Sequence, residues 1–197
     1  MPASALAAMQ AAAADLGRYP DSNGFELKAA LAIKHQVPAD WITLGNGSND
    51  ILEMAARAFL QPGQGSMYAQ HSFAVYALAT QAIGAKHVVV PAKNLGHDLE
   101  AMVQAIDDDT RIIFIANPNN PTGTFVSASQ IEAMLRRMPQ TVAVVLDEAY
   151  TDYLPPEVRM DSVAWVRSYP NLIVSRTLSK AYGLAGLRIG YAIAQEA

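Results

Sequence analysis

Two rhythms of apolar residues alternate along this chain. Short β-rich runs stand at Trp41–Leu44, Ser66–Ala69, His87–Pro91, Arg111–Ala116, Val142–Leu146, Leu172–Ser175 and Ile189–Ile193. Several are nearly unbroken, such as Ile112-Ile113-Phe114-Ile115 and Val142-Ala143-Val144-Val145-Leu146. Strands covered on both faces read this way. Between them the spacing turns helical. Leu99, Met102, Val103 and Ile106 repeat behind Asp98, a natural N-cap. Ser127 and Gln130 form a capping-box pair ahead of Ile131, Met134 and Leu135. Gly84 follows Ala82-Ile83 where a helix ends, and Ala5 to Ala14 reads as a surface helix. Such alternation predicts an α/β fold with a mainly parallel sheet. No repeat or linker interrupts it, so one domain is expected over residues 1–197.

Composition narrows the picture. Half of the 197 residues are hydrophobic (51%), enough for one sizeable core. The formal net charge is -4 and no basic run exists, which argues against a nucleic-acid surface. Cysteine is absent, so disulfides and thiolate metal sites are excluded, and a cytoplasmic location is expected. The Ala-rich start has no basic region ahead of an apolar core, and no apolar run is long enough to span a bilayer. Neither a signal peptide nor a membrane role is expected.

In open α/β sheets ligands bind beyond the carboxyl ends of the strands, and four motifs fall there. The first is Gly45-Asn46-Gly47-Ser48-Asn49-Asp50, ahead of a helical pattern that starts at Ile51. It suits an anion cradle, or a plain turn with Ser48 as N-cap. A dinucleotide fingerprint would need glycine where Asp50 stands. The second, Asn117-Pro118-Asn119-Asn120-Pro121-Thr122-Gly123, is a rigid polar bend in which Asn120 offers hydrogen bonds. The third is Asp147-Glu148-Ala149-Tyr150. A carboxylate at the end of a buried strand needs a partner: an arginine, a metal or a protonated ring nitrogen. No recognised ligand spacing stands nearby, so no metal is expected. Glu148 alternates to the other face and reads as structural. The fourth motif runs from Ser175 through Thr177, Ser179 and Lys180 to Arg188. Its hydroxyls and arginine suit a phosphate. A lysine beside them suits attack on a carbonyl. Most lysines are solvated surface charges, but this one of only five lies inside a polar cluster.

Together, in this order, the motifs resemble the fold-type-I pyridoxal-phosphate aminotransferases, and most nearly their histidinol-phosphate group. The resemblance runs from Arg18-Tyr19-Pro20-Asp21 to Gly190-Tyr191-Ala192. Its most specific stretches are Ser179-Lys180-Ala181-Tyr182-Gly183-Leu184-Ala185-Gly186-Leu187-Arg188-Ile189-Gly190 and Asn119-Asn120-Pro121-Thr122-Gly123. It implies a three-layer α/β/α sandwich whose seven-stranded sheet is parallel except for its last strand. It implies pyridoxal 5'-phosphate as cofactor, linked covalently to Lys180. Asp147 would pair with the pyridine nitrogen, while Tyr150 and Asn120 would bond the phenolic oxygen. Phe73 would stack on the ring. Ser48, Asn49, Thr177, Ser179 and Arg188 would hold the phosphate, and Tyr19 would reach it from a second subunit of a homodimer. Lys180, once freed, would shuttle the proton.

The implied reaction passes an amino group between histidinol phosphate and a 2-oxo acid, 2-oxoglutarate, in histidine biosynthesis. An aromatic aminotransferase, a threonine-phosphate decarboxylase or a cofactor-binding remnant without turnover shares the same residue set. The family has Pro-Thr ahead of its stacking aromatic where this chain has His71-Ser72. His71 reads as a partly exposed structural residue, and His35, His87 and His97 as surface or strand-end residues. By the same resemblance, the family's N-terminal arm and C-terminal small domain, with its substrate-binding arginines, are expected to fall outside these 197 residues. No Walker A loop, G-x-S-x-G elbow or H-E-x-x-H helix is present.

Overall fold

The computed structural model describes residues 1–196. The chain enters through α1 (Ala3–Ala12), which buries no residue, as an alanine-rich surface helix should. Next come α2 (Phe25–His35), β1 (Ile42–Asn46), α3 (Ser48–Phe59), β2 (Gly65–Ala69), α4 (Ala74–Ile83) and β3 (Lys86–Val90). The second half holds α5 (Leu99–Gln104), β4 (Thr110–Ala116), α6 (Ala128–Leu135), β5 (Ala143–Asp147), α7 (Ser162–Ser168), β6 (Leu172–Thr177) and β7 (Ile189–Ile193). All seven strands stand where the apolar runs predict them, within one or two residues at each end. Helix punctuation also agrees. Asp98 accepts from the Ala101 N–H, Gly84 closes α4 in the left-handed region, and the Gln130 side chain accepts from the Ser127 N–H at 3.1 Å. Helices α2 and α7 are additions to the sequence reading. Both are tied at their starts by aspartates: Asp21 accepts from the Phe25 N–H, and Asp161 from the Ala164 N–H.

One seven-stranded sheet has the order β1-β7-β6-β5-β4-β2-β3. Its pairs are parallel except that β7 runs antiparallel to both β1 and β6. This is the expected α/β/α arrangement with one reversed strand. Side-chain parity sorts the layers. Along β4, Ile113 and Ile115 join a core with α2, α5, α6 and α7, through Leu31, Met102, Ile131 and Val163. Ile112, Phe114 and Ala116 point the other way and pack with Leu52 and Ala55 of α3 and Tyr76 and Ala79 of α4. Full burial of each such large side chain contributes about 1.5–3 kcal/mol.

The same parity aims the chemistry. Ala143 and Val145 face the α3–α4 layer, so Asp147 two residues on faces it too. Glu148 is turned to the opposite face, where its carboxylate pairs with Arg176 at 2.8 Å. The structural role expected for Glu148 is therefore met.

Candidate active site

The carboxyl ends of the parallel strands open into one cleft enclosing about 500 Å³ of empty space, continuous with solvent. Ser48, Asn49, Phe73, Asn120, Asp147, Tyr150, Thr177, Ser179, Lys180 and Arg188 all line it. Every residue expected at the site is thus brought there except Tyr19, which is fully exposed and outside the cleft.

One end of the cleft is built for an anion. The turn after β1 makes Gly47 the N-cap of α3, so Ser48 is the first helical residue and not the cap that the plain-turn reading would make it. No side chain caps this end, and its first two residues, Ser48 and Asn49, line the cleft. Two close approaches hold the helix there. A Cβ on Gly190 of β7 would lie 2.3 Å from the Ser48 nitrogen, so only glycine lets α3 start against that strand. A Cβ on Gly47 would lie 2.2 Å from Arg188 Nη2, so the guanidinium rests directly on the turn. Arg188 also donates to the Asn46 carbonyl at 3.2 Å and to Ser179 Oγ at 3.3 Å. Thr177 Oγ1 accepts from the Ser179 N–H at 3.1 Å, which shapes the bend before the lysine. An arginine, hydroxyls and an uncapped helix start together form a group chemically suited to a phosphate.

The other end holds Asp147, almost fully buried at 5% exposure. Its partners are neutral donors: the Tyr76 phenol donates to Oδ2 at 2.8 Å and the Ala149 N–H to Oδ1 at 3.2 Å. Burial pushes the carboxyl up to about 6 despite these bonds. Among the described residues no arginine forms an ion pair with Asp147, and Arg176 pairs with Glu148 instead. A buried carboxylate with only neutral donors, opening on a cleft, fits a cationic heterocycle. Lys180 stands at the first position of the Lys180–Gly183 turn, whose Gly183 has φ +65°. Its Nζ lies 5.2 Å from the centre of the Tyr150 ring, and its charge favours ionisation of Asp147. Phe73 caps α4 beside the cleft. Asn119 supports the Asn120 bend by donating to the His71 carbonyl at 2.7 Å. His71 is half-buried, as expected.

The residue that sequence reasoning missed is Tyr76. It follows Phe73 by three positions, one helical turn, and that spacing was the available signal. His97 corrects another expectation. It is not a surface residue but 8% exposed, with Nε2 at 2.9 Å from the Ala116 carbonyl, and burial lowers its pKa. His35 is half-buried as well, with Nε2 3.0 Å from the Tyr191 hydroxyl. His87 is exposed. Among the described residues no group of three His, Asp or Glu side chains is placed to hold a metal, and no helix is long and apolar enough to cross a membrane.

Known proteins match this chain along its whole length. It is 68% identical over 195 residues to histidinol-phosphate aminotransferase 1 of Cupriavidus pinatubonensis, covering 99% of this chain and 52% of that protein. It is 67% identical, with the same coverage, to histidinol-phosphate aminotransferase 2 of Ralstonia nicotianae. The chain therefore spans about half the length of the curated relatives it matches. The crystal structure of histidinol-phosphate aminotransferase from Sinorhizobium meliloti, in complex with pyridoxal-5'-phosphate, superposes with a TM-score of 0.91 at 31% identity, over 98% of this chain and 52% of that one. The family described as aminotransferase class I and II matches residues 1–197, and the chain belongs to it.

Proposed function

We propose that this chain is the cofactor-binding large domain of a pyridoxal-phosphate-dependent aminotransferase. Its substrates are L-histidinol phosphate and 2-oxoglutarate, and its pathway is histidine biosynthesis. One observation carries the reading: a single lysine shares one cleft with a buried carboxylate and with an arginine and an uncapped helix start suited to an anion. The substrate pair draws on the names of the two relatives above. A cytoplasmic, cysteine-free homodimer completes the proposal.

Pyridoxal phosphate, when bound, supplies an electron-withdrawing ring that stabilises negative charge on the amino-bearing carbon of the substrate. The residues supply the rest. Arg188, Thr177, Ser179 and the N–H groups of Ser48 and Asn49 hold the phosphate. Asp147 keeps the proton on the ring nitrogen, and its burial strengthens that attraction. Phe73 covers one ring face. Asn120 and Tyr150 bond the phenolic oxygen. The Lys180 amine would hold the cofactor through a reversible imine, with loss of water, and once displaced by the substrate's amino group it would be the base that moves the substrate's α-proton.

The test is spectroscopic. The purified chain with pyridoxal phosphate should show a visible band that borohydride bleaches, and Lys180→Ala should lose it. An unchanged band in Lys180→Ala would refute the assignment. Conversion of that band by L-histidinol phosphate, and not by L-phenylalanine, separates the proposed donor from the aromatic one.

A further inference from the structure

Helix α4 delivers two side chains to the site, one turn apart. Phe73 stands at its N-cap and borders the cleft, and Tyr76 lies behind it with no exposed surface. The Tyr76 ring is clamped. It stacks on Phe114 at 4.8 Å between centroids and 8° between planes, and it meets the Phe73 ring edge-on at 6.0 Å. A buried phenol must find an acceptor, and this one finds Asp147 Oδ2 at 2.8 Å.

We propose that Tyr76 is the positioning residue for Asp147: its phenol holds that carboxylate ionised and turned towards the cleft, while its rigid ring ties the carboxylate to the same helix that places Phe73. The consequence for cofactor binding rests on the function proposed above. Three further groups bear on the Asp147 charge. Lys180, from the loop after β6, and the Ala149 N–H favour ionisation, and the neighbouring Glu148 opposes it. Among the favourable groups Tyr76 ranks first, and burial alone outweighs it. Helix α4 therefore sets the ring face and the ring nitrogen together, because one rigid turn carries both contacts.

The decisive variant is Tyr76→Phe, which removes one oxygen and keeps the ring. The carbon-13 signal of the Asp147 carboxyl, identified by its loss in Asp147→Asn, is titrated in the full chain without cofactor. The midpoint should rise by about one pH unit, the tenfold change that one charge-assisted hydrogen bond supplies. An unmoved midpoint overturns the proposal. Phe114→Leu serves as the packing control. It should lower the melting temperature and leave the Asp147 midpoint in place, and a midpoint shift as large as that of Tyr76→Phe would also overturn the proposal. Tyr76→Phe should further weaken pyridoxal phosphate binding about threefold at pH 6.5, where a midpoint one unit higher leaves about a third as much carboxylate, and unchanged affinity there counts against it. If the wild-type chain binds no pyridoxal phosphate, the function proposed above fails, and the carboxyl titration still decides the role of Tyr76.

Discussion

Asp147 is where chemistry and stability pull in opposite directions. Its carboxyl titrates near 6 in the folded chain, above its ordinary value of 3.8, because burial disfavours the charged form. The native state thus holds this proton more tightly than the unfolded chain does. The stability that follows is fully present below about pH 4 and is lost as pH rises to 6. Above pH 6 the protein carries a buried anion that awaits a cation. Asp147→Asn should therefore raise stability by roughly 1–3 kcal/mol at pH 7. Its amide oxygen can still accept from Tyr76. The gain should be absent near pH 3.5, and cofactor affinity should fall. Melting temperatures across that pH range check this, and a difference between variant and wild type that does not change with pH would contradict it. At this scale the sequence marked Asp147 as a buried charge in need of a partner. It did not mark Tyr76, since a tyrosine on an apolar helix face reads as core. It misplaced His97, whose polar neighbours in the chain concealed a fold that buries it.

At the scale of elements, the anion end depends on α3 starting hard against β7. Gly190 makes that possible, and its missing side chain is filled by backbone atoms of Gly47 and Ser48. Backbone cannot swing aside as a flexible side chain can. Gly190→Ala should consequently cost about 1–3 kcal/mol by overpacking. It should also weaken the hold on phosphate, because the Ser48 and Asn49 N–H groups move with the helix. A thermal melt and a pyridoxal phosphate titration read the two effects, and wild-type values for both would show that α3 can shift without loss. The glycine-rich turn itself was legible, as an anion cradle or as a plain turn. Its dependence on β7 was not, because Gly47 and Gly190 are far apart in sequence and adjacent only through the Gly45–Gly190 register.

The whole molecule leaves Tyr19 exposed, with Leu16 and Phe25 exposed near it in the chain. The resemblance would place Tyr19 at the phosphate site of a second copy, and its absence from the cleft of its own chain fits the proposed homodimer. Sedimentation with cofactor should report a dimer at micromolar concentration, and Tyr19→Phe should weaken pyridoxal phosphate affinity by up to about tenfold. A chain that stays monomeric with bound cofactor would contradict the homodimer.

The sequence by itself determined the α/β class, the seven strands and the four motifs at their ends. Each of these is written in local terms: period-two or unbroken apolar runs, helix caps, and residues with special backbone freedom. It also marked Glu148 as turned from the site, since side-chain parity along a strand is local. The family resemblance already implied a reversed last strand, but tertiary structure alone decided that β7 sits between β1 and β6, that α3 meets β7 at Gly190, and that the Tyr76 phenol ends on Asp147. Those facts arise from packing between segments tens of residues apart, where burial and close approach, unlike local periodicity, leave no pattern in any single stretch of chain.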